Sequence, residues 1–305
     1  MPCVAVAGSV FLIKTVRLPS GELLLQFGPI NMVIGAWHRG TLMQEEMKNA
    51  AEIAVYHLEE LSCVLDKARI AYGTAAAEGD CCPCRSRPRV LAYMCDAVRQ
   101  AGDPSLTPMA AVAGAIADLT VEALERWGAT KAFANNGGDI AIKLTPEEST
   151  CIGIVSCLAN GKISHKLTLT GRDGIGGVAT SGLGGRSLSK GIADAVVVLA
   201  DNARLADASA TLIANETLVE TAEVIRVKAE FLDPQTDLQG QMVTQTVHSL
   251  PHRIIAEALE RGKRSALQLL DRGVIKGAFI FVQGEMAEVT TGHRGRLVCR
   301  INEHY

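Results

Sequence analysis

The spacing of apolar positions changes along the chain and divides it into elements. Residues 10–16 and 22–27 read as strands around Leu18-Pro19-Ser20-Gly21, a hairpin signal, and 31–34 reads as a third. Met43, Met47, Ala51, Ala54, Leu58, Leu61 and Leu65 then recur at three- and four-residue steps, with Glu45, Glu46, Lys48 and Glu59 between them. That spacing predicts a long amphipathic helix with one buried stripe. Residues 73–88, rich in Gly, Cys, Pro and Arg, read as an exposed loop. Helices follow at 90–100 and 108–127, the second opened by Pro108 in its first turn and closed by Gly128.

From Lys131 the period shortens. Strands are expected at 131–134, 139–144, 151–158 and 164–169, then a glycine- and serine-rich stretch at 178–189. The unbroken apolar run 192–200 has the character of a strand buried on both faces. A helix at 204–218, strands at 224–229 and 242–247, one or two helices at 253–272 and strands at 278–282, 286–290 and 296–301 complete the reading. This mixture predicts an α+β (mixed α/β) fold, β-sheets flanked by helices, with residues 1–305 as one intertwined unit.

Composition narrows the picture. Hydrophobic residues make up 48% of the 305 and aromatics only 4%, so the core must rest on Ala, Val, Ile and Leu. A formal charge of -3 gives no electrostatic reason to expect nucleic acid. The apolar start, residues 4–13, lacks the basic region of a signal peptide and reads as a strand. No stretch reaches the roughly 18 uninterrupted apolar residues of a spanning helix, so a soluble cytoplasmic protein with no membrane contact is expected. Nine cysteines, an odd number, suit a reducing compartment. Cys81, Cys82 and Cys84 are spaced awkwardly for a zinc tetrahedron and read as a thiol-bearing loop.

Three segments carry candidate chemistry: two in the glycine-rich region between Gly114 and Gly191, and one beyond it that holds the polar pair Asp207 and Thr211. Asn136-Gly137-Gly138-Asp139 joins two strands; it is either a hairpin turn or a place where the backbone approaches a ligand. The stretch from Gly176 to Ser187 contains Thr180, Ser181, Gly182, Arg186 and Ser187. Exposed amides and hydroxyls can cradle an oxyanion, and Arg suits a phosphate or carboxylate. It ends in no Gly-Lys-Thr, so it is not a Walker loop. Thr180 or Ser181 is a candidate nucleophile, although no activating base is evident. In Ala206-Asp207-Ala208-Ser209-Ala210-Thr211, Asp207 and Thr211 share a helix face. Both are hard oxygen donors of the kind Mg²⁺ takes, while a surface or capping pair is the plainer alternative.

Taken in order, these segments resemble the ApbE-like superfamily, in which a Gly-Gly-Asp/Asn-Ile junction precedes Ala-Thr-Ser-Gly and a helix reading Ala-Asp-Ala-x-Ala-Thr. Here they are Gly137-Gly138-Asp139-Ile140, Ala179-Thr180-Ser181-Gly182 and Ala206-Asp207-Ala208-Ser209-Ala210-Thr211. Gly114-Ala115-Ile116-Ala117 looks like the stretch before the family's FAD-binding lysine, but Asp118 stands where that lysine would be. The family's His-x-x-Asp-Pro-x-Thr-Gly segment is missing between Thr180 and Asp207. With Gly28-Pro29-Ile30 and the helix start at Thr107-Pro108, the chain most resembles the superfamily's uncharacterised branch.

The resemblance implies FAD and Mg²⁺ as cofactors, Asp207 and Thr211 as metal ligands, and transfer of FMN to a target flavoprotein. It places Gly137, Gly138 and the Thr180 loop in the ligand pocket, and with them Asn136, Asp139, Gly182, Arg186 and Ser187 are read as ligand-binding; Arg186 and Lys190 are this chain's own candidates to replace the lost lysine's charge. The expected partner is a nucleotide or other anionic small molecule, and self-association is left open. Two alternatives stand beside this reading: a flavin-free hydrolase or isomerase gripping a small anionic metabolite through Arg186, and a non-catalytic binding protein.

Overall fold

The computed structural model describes residues 12–77, 88–157, 161–185, 187–290 and 298–300. Arg186 and Cys81, Cys82 and Cys84 lie outside the described residues. The fold is α+β, built around an antiparallel sheet of ten strands. Strands β1 (Lys14–Arg17), β2 (Leu23–Phe27), β3 (Ile30–His38) and β4 (Thr41–Leu42) start it. Helices α1 (Gln44–Ser62), α2 (Leu65–Ala68), α3 (Tyr72–Ala77), α4 (Arg89–Ala101) and α5 (Val112–Arg126) follow. Next come β5 (Lys131–Asn136), β6 (Asp139–Leu144), β7 (Ser149–Ile154), β8 (His165–Thr170), β9 (Gly177–Ser181) and β10 (Ala195–Ala200). Helix α6 (Ala203–Glu216), strands β11 (Val224–Lys228) and β12 (Met242–Val247), helix α7 (His252–Asp271), and strands β13 (Gly277–Val282), β14 (Glu285–Thr290) and β15 (Val298–Arg300) close the chain.

The large sheet runs β1-β2-β3-β5-β6-β9-β10-β13-β14, with β4 alongside β3. A three-stranded sheet, β15-β8-β7, and the hairpin β11-β12 stand apart from it. The period of two in a strand sends alternate side chains to opposite faces. In β10, Val196, Val198 and Ala200 join the core formed with α1, α4, α5, α6 and α7. Ala195, Val197 and Leu199 join a second core with Ile154 of β7 and Leu167 and Leu169 of β8. Strand β13 divides likewise, Ile280 to the helices and Phe281 to the small sheet. A strand covered on both faces has no polar side, which explains the unbroken apolar run read in the sequence.

Helix α1 follows the predicted stripe to Leu61 but ends at Ser62, and Leu65 opens the separate short helix α2. The single helix α7 matches its stripe. Two further expectations change. Part of the loop at 73–88 is the short helix α3. The glycine- and hydroxyl-rich stretch after Gly176 begins as a strand, β9, because β6 and β10 pair with it on either side and supply partners for its backbone. Among the described residues, no helix is long and apolar enough to cross a membrane.

Candidate functional site

A cleft of about 710 Å³ opens where β6 and β9, the edge of β7 and the helices α5 and α6 meet. All three sequence segments reach it. Asn136, Gly137, Gly138 and Asp139 line it from the β5–β6 junction, Thr180, Ser181, Gly182 and Ser187 from the end of β9 and beyond, and Asp207 and Thr211 from α6.

The Asn-Gly-Gly-Asp segment is a hairpin turn and part of the cleft wall at once. Asn136 pairs with Asp139 across a two-residue loop, and Gly137 and Gly138 take φ of +73° and +112°. Two positive φ values at the loop positions are what a tight hairpin of matching twist requires. The Asn135 side chain accepts the Gly138 N–H at 2.9 Å and fixes the turn. Pairing of Ile140 with Val178 then brings Thr180 beside it: a Cβ on Gly138 would stand 3.9 Å from that of Thr180.

Asp207 is held from α5: its Oδ2 accepts the Gly114 N–H at 3.0 Å, and the Ala113 amide also favours the ionised carboxylate. Asp207 keeps accessible surface where it faces the cleft, yet protein surrounds it closely. Burial, and then the negative charge of Asp139, hold its carboxyl well above the ordinary carboxylate range; the two amides oppose this only in part. Asn136 adds a buried Oδ1 with no hydrogen-bond partner. Two carboxylates, the Thr211 hydroxyl and that orphaned oxygen are hard donors, and a divalent cation would relieve both the repulsion and the unsatisfied oxygen. The donor types fit the Mg²⁺ that the resemblance implies. No cluster of three or more His, Cys, Asp or Glu at metal spacing occurs among the described residues, so a cation here would depend on Thr, Asn or ligand oxygens as well.

The remaining walls are apolar: Ile140, Ile142, Val178 and Val197 from the large sheet, Ile152 and Ile154 from β7, Val112 and Ile116 from α5, with Pro29 and Ile30. The sequence reading did not place β7 here, because β7 belongs to a different sheet and carries no motif. No Lys, Arg or His is among the described cleft-lining residues. Lys190 does not line the cleft; its backbone is held by Asn215 and Thr244.

Asp118 also needs correction. The motif comparison put it in place of a ligand-side lysine, but it does not line the cleft. It accepts the N–H groups of Ala203 and Arg204 at 2.8 and 3.0 Å and pairs with the Arg204 guanidinium at 2.9 Å. Burial raises its pKa to about 6 against the pull of Arg204 and the two amides.

The family model described as "AbpE bacteria" matches residues 15–288. A UPF0280 protein of Methanopyrus kandleri is 31% identical over 264 residues, covering 83% of this chain and 88% of that relative. A UPF0280 protein of Methanosarcina acetivorans is 38% identical over 165 residues, 54% of this chain and 62% of the relative, so the match spans less than two thirds of that protein. The crystal structure of the apo form of the Pseudomonas stutzeri flavinyl transferase ApbE is similar over 96% of this chain and 99% of that one, at 12% identity and a TM-score of 0.40. The chain belongs to the family described as AbpE bacteria, in the ApbE-like branch that includes the UPF0280 proteins.

Proposed function

We propose that the cleft binds a phosphate-bearing nucleotide, a flavin foremost, as a complex with a divalent cation held by Asp207 and Thr211. The observation that carries this reading is the buried Asn136 Oδ1 without a hydrogen-bond partner, in the same cleft wall as Asp207 and Thr211. Oxygen donors of this kind suit a divalent cation, and a cation suits an anionic ligand. Asp207 and Thr211 would hold Mg²⁺, which would supply positive charge to a phosphate, a role it commonly fills with one or two protein carboxylates.

The other residues have roles consistent with that ligand. Hydroxyls of Thr180, Ser181 and Ser187, and the backbone at Gly182, Gly184 and Gly185, lie along the cleft and would orient phosphate oxygens. The apolar walls suit a flat ring, and a cleft of about 710 Å³ exceeds the needs of a small carboxylate. Family membership supports flavin transfer as the reaction class, with Thr180 and Ser181 nearest the reacting phosphate. The continuous ten-stranded sheet supports treating the chain as one working unit.

The test is a melting series of the full chain with FAD, FMN and ADP, each with Mg²⁺ and with chelator. Only ligands that bind the folded state raise the melting temperature. The proposal expects a rise with FAD and Mg²⁺ that chelator removes. An equal rise with chelator present, or none with any nucleotide, would reject it.

A further inference from the structure

The two helices at the acidic end of the cleft hold each other by exchanged carboxylates. The first amides of any helix lack acceptors within it. In α6 those amides are satisfied from α5: Asp118 takes the Ala203 and Arg204 N–H groups, while Asn202 takes that of Leu205 at 3.0 Å. In α5 the Gly114 N–H is satisfied from α6, by Asp207 at 3.0 Å. The Val112 N–H bonds to Met109 in the preceding 3-10 turn. Each helix thus supplies the carboxylate that caps the other.

The exchange is anchored and close. Arg204, paired with Asp118, lies over the Tyr93 ring at 4.0 Å, and the Tyr93 hydroxyl donates to Glu122 of α5 at 2.9 Å. At the crossing, a Cβ on Gly114 would stand 2.4 Å from the Ala203 carbonyl oxygen. Asp207 sits one turn beyond the amides Asp118 holds. Any loosening of that first turn moves the carboxylate that faces the cleft.

We propose that Asp118 is a positioning residue for Asp207: by capping α6 it sets the register of α6 on α5 and so the direction in which the Asp207 carboxylate faces. The consequence for ligand binding rests on the reading that Asp207 holds a cation; the geometric coupling does not. The resemblance-based position of Asp118 as a lost ligand contact then has a structural replacement. The residue acts through a helix terminus and not through the ligand.

The test follows amide hydrogen exchange in the full chain carrying Asp118→Asn. Asn keeps one acceptor oxygen but turns donors toward Arg204. The expected result is exchange at Ala203 and Arg204 about tenfold faster, which corresponds to losing about 1.4 kcal/mol of protection. The Gly114 amide, bonded to Asp207 and not to Asp118, quickens with them. The Val197 amide in β10, which reports global opening, stays as in the unaltered chain. An unchanged Gly114, or equal quickening at Val197, would overturn the proposal. Should Asp118→Asn fail to fold, Asp207→Asn tests the same coupling in reverse, since coupling is reciprocal. Ala203 and Arg204 must then quicken, and unchanged protection there overturns it. Mg²⁺ titration by calorimetry separates the two ideas. Asp118→Asn is expected to weaken binding about tenfold and Asp207→Asn to abolish it. Full Mg²⁺ binding by Asp207→Asn rejects the cation reading while the exchange result still judges Asp118.

Discussion

Replacing Gly114 with Ala should destabilise the protein, against the usual preference of helices. An exposed helical glycine changed to alanine gains about 1 kcal/mol. At Gly114 the added methyl would stand 2.4 Å from the Ala203 oxygen, 2.6 Å from its carbonyl carbon and 2.7 Å from the Arg204 nitrogen, all backbone. Backbone cannot swing aside, so α5 and α6 must separate. Overpacking of this kind costs about 1–3 kcal/mol. Separation also stretches the Gly114 bond to the Asp207 carboxylate, and a hydrogen bond to a charged group contributes about 1.5–3 kcal/mol. Net of the helix preference, Gly114→Ala should lose about 2–4 kcal/mol. Gly262 in α7 provides the comparison: its nearest atoms are the Thr217 methyl at 3.0 Å and Ile280 Cδ1 at 3.1 Å, side-chain ends that can give way. Urea denaturation of both variants reads the difference. A Gly114→Ala chain as stable as the unaltered one, or more so, would refute the close packing on which the site's geometry depends.

Other expectations follow from the same contacts. Asp207→Ala removes the acceptor for the Gly114 amide as well as the proposed cation ligand, so it should abolish any Mg²⁺-dependent thermal shift; a full shift in that variant counts against the assignment. Thr211→Val, nearly the same size without the hydroxyl, should weaken Mg²⁺ about tenfold by calorimetry with little change in melting temperature; unchanged affinity would exclude the hydroxyl as a ligand. The folded pKa of Asp118, about 6, lies above its ordinary value of 3.8, so the folded state holds the proton more tightly. That contribution is full below about pH 4 and is lost as the pH rises through about 6, and amounts to about 3 kcal/mol. Relative to Asp118→Asn, the unaltered chain should therefore lose stability between pH 4 and 6.5 in urea titrations; a rise over that window contradicts the assigned shift.

Local periodicity made much of the scaffold legible. The stripe from Met43 to Leu65 and the run through β10 each follow from one element's own burial; the structure keeps the run, and keeps the stripe as far as Leu61 before a break sets Leu65 in α2. Asp207 and Thr211 were readable as one helix face because a four-residue step is a property of the helix alone. The β5–β6 turn was readable because two adjacent glycines accept positive φ. The stretch at 178–189 misled because its composition is that of a loop; only pairing on both sides makes its start a strand. The wall from β7 and the amides of Ala113 and Gly114 were not legible, since they reach the site through sheet order and helix crossing. Asp118 shows the difficulty most clearly. Its partners are backbone amides 85 and 86 residues away, and backbone leaves no mark in a sequence.

The most direct test of the central claim is calorimetric titration of the full chain with FAD, in Mg²⁺ and then in chelator. The account predicts saturable binding in Mg²⁺, none in chelator, and none in either condition for Asp207→Asn. Equal binding in chelator, or binding retained by Asp207→Asn, would contradict a site in which Asp207 holds a cation that the ligand requires.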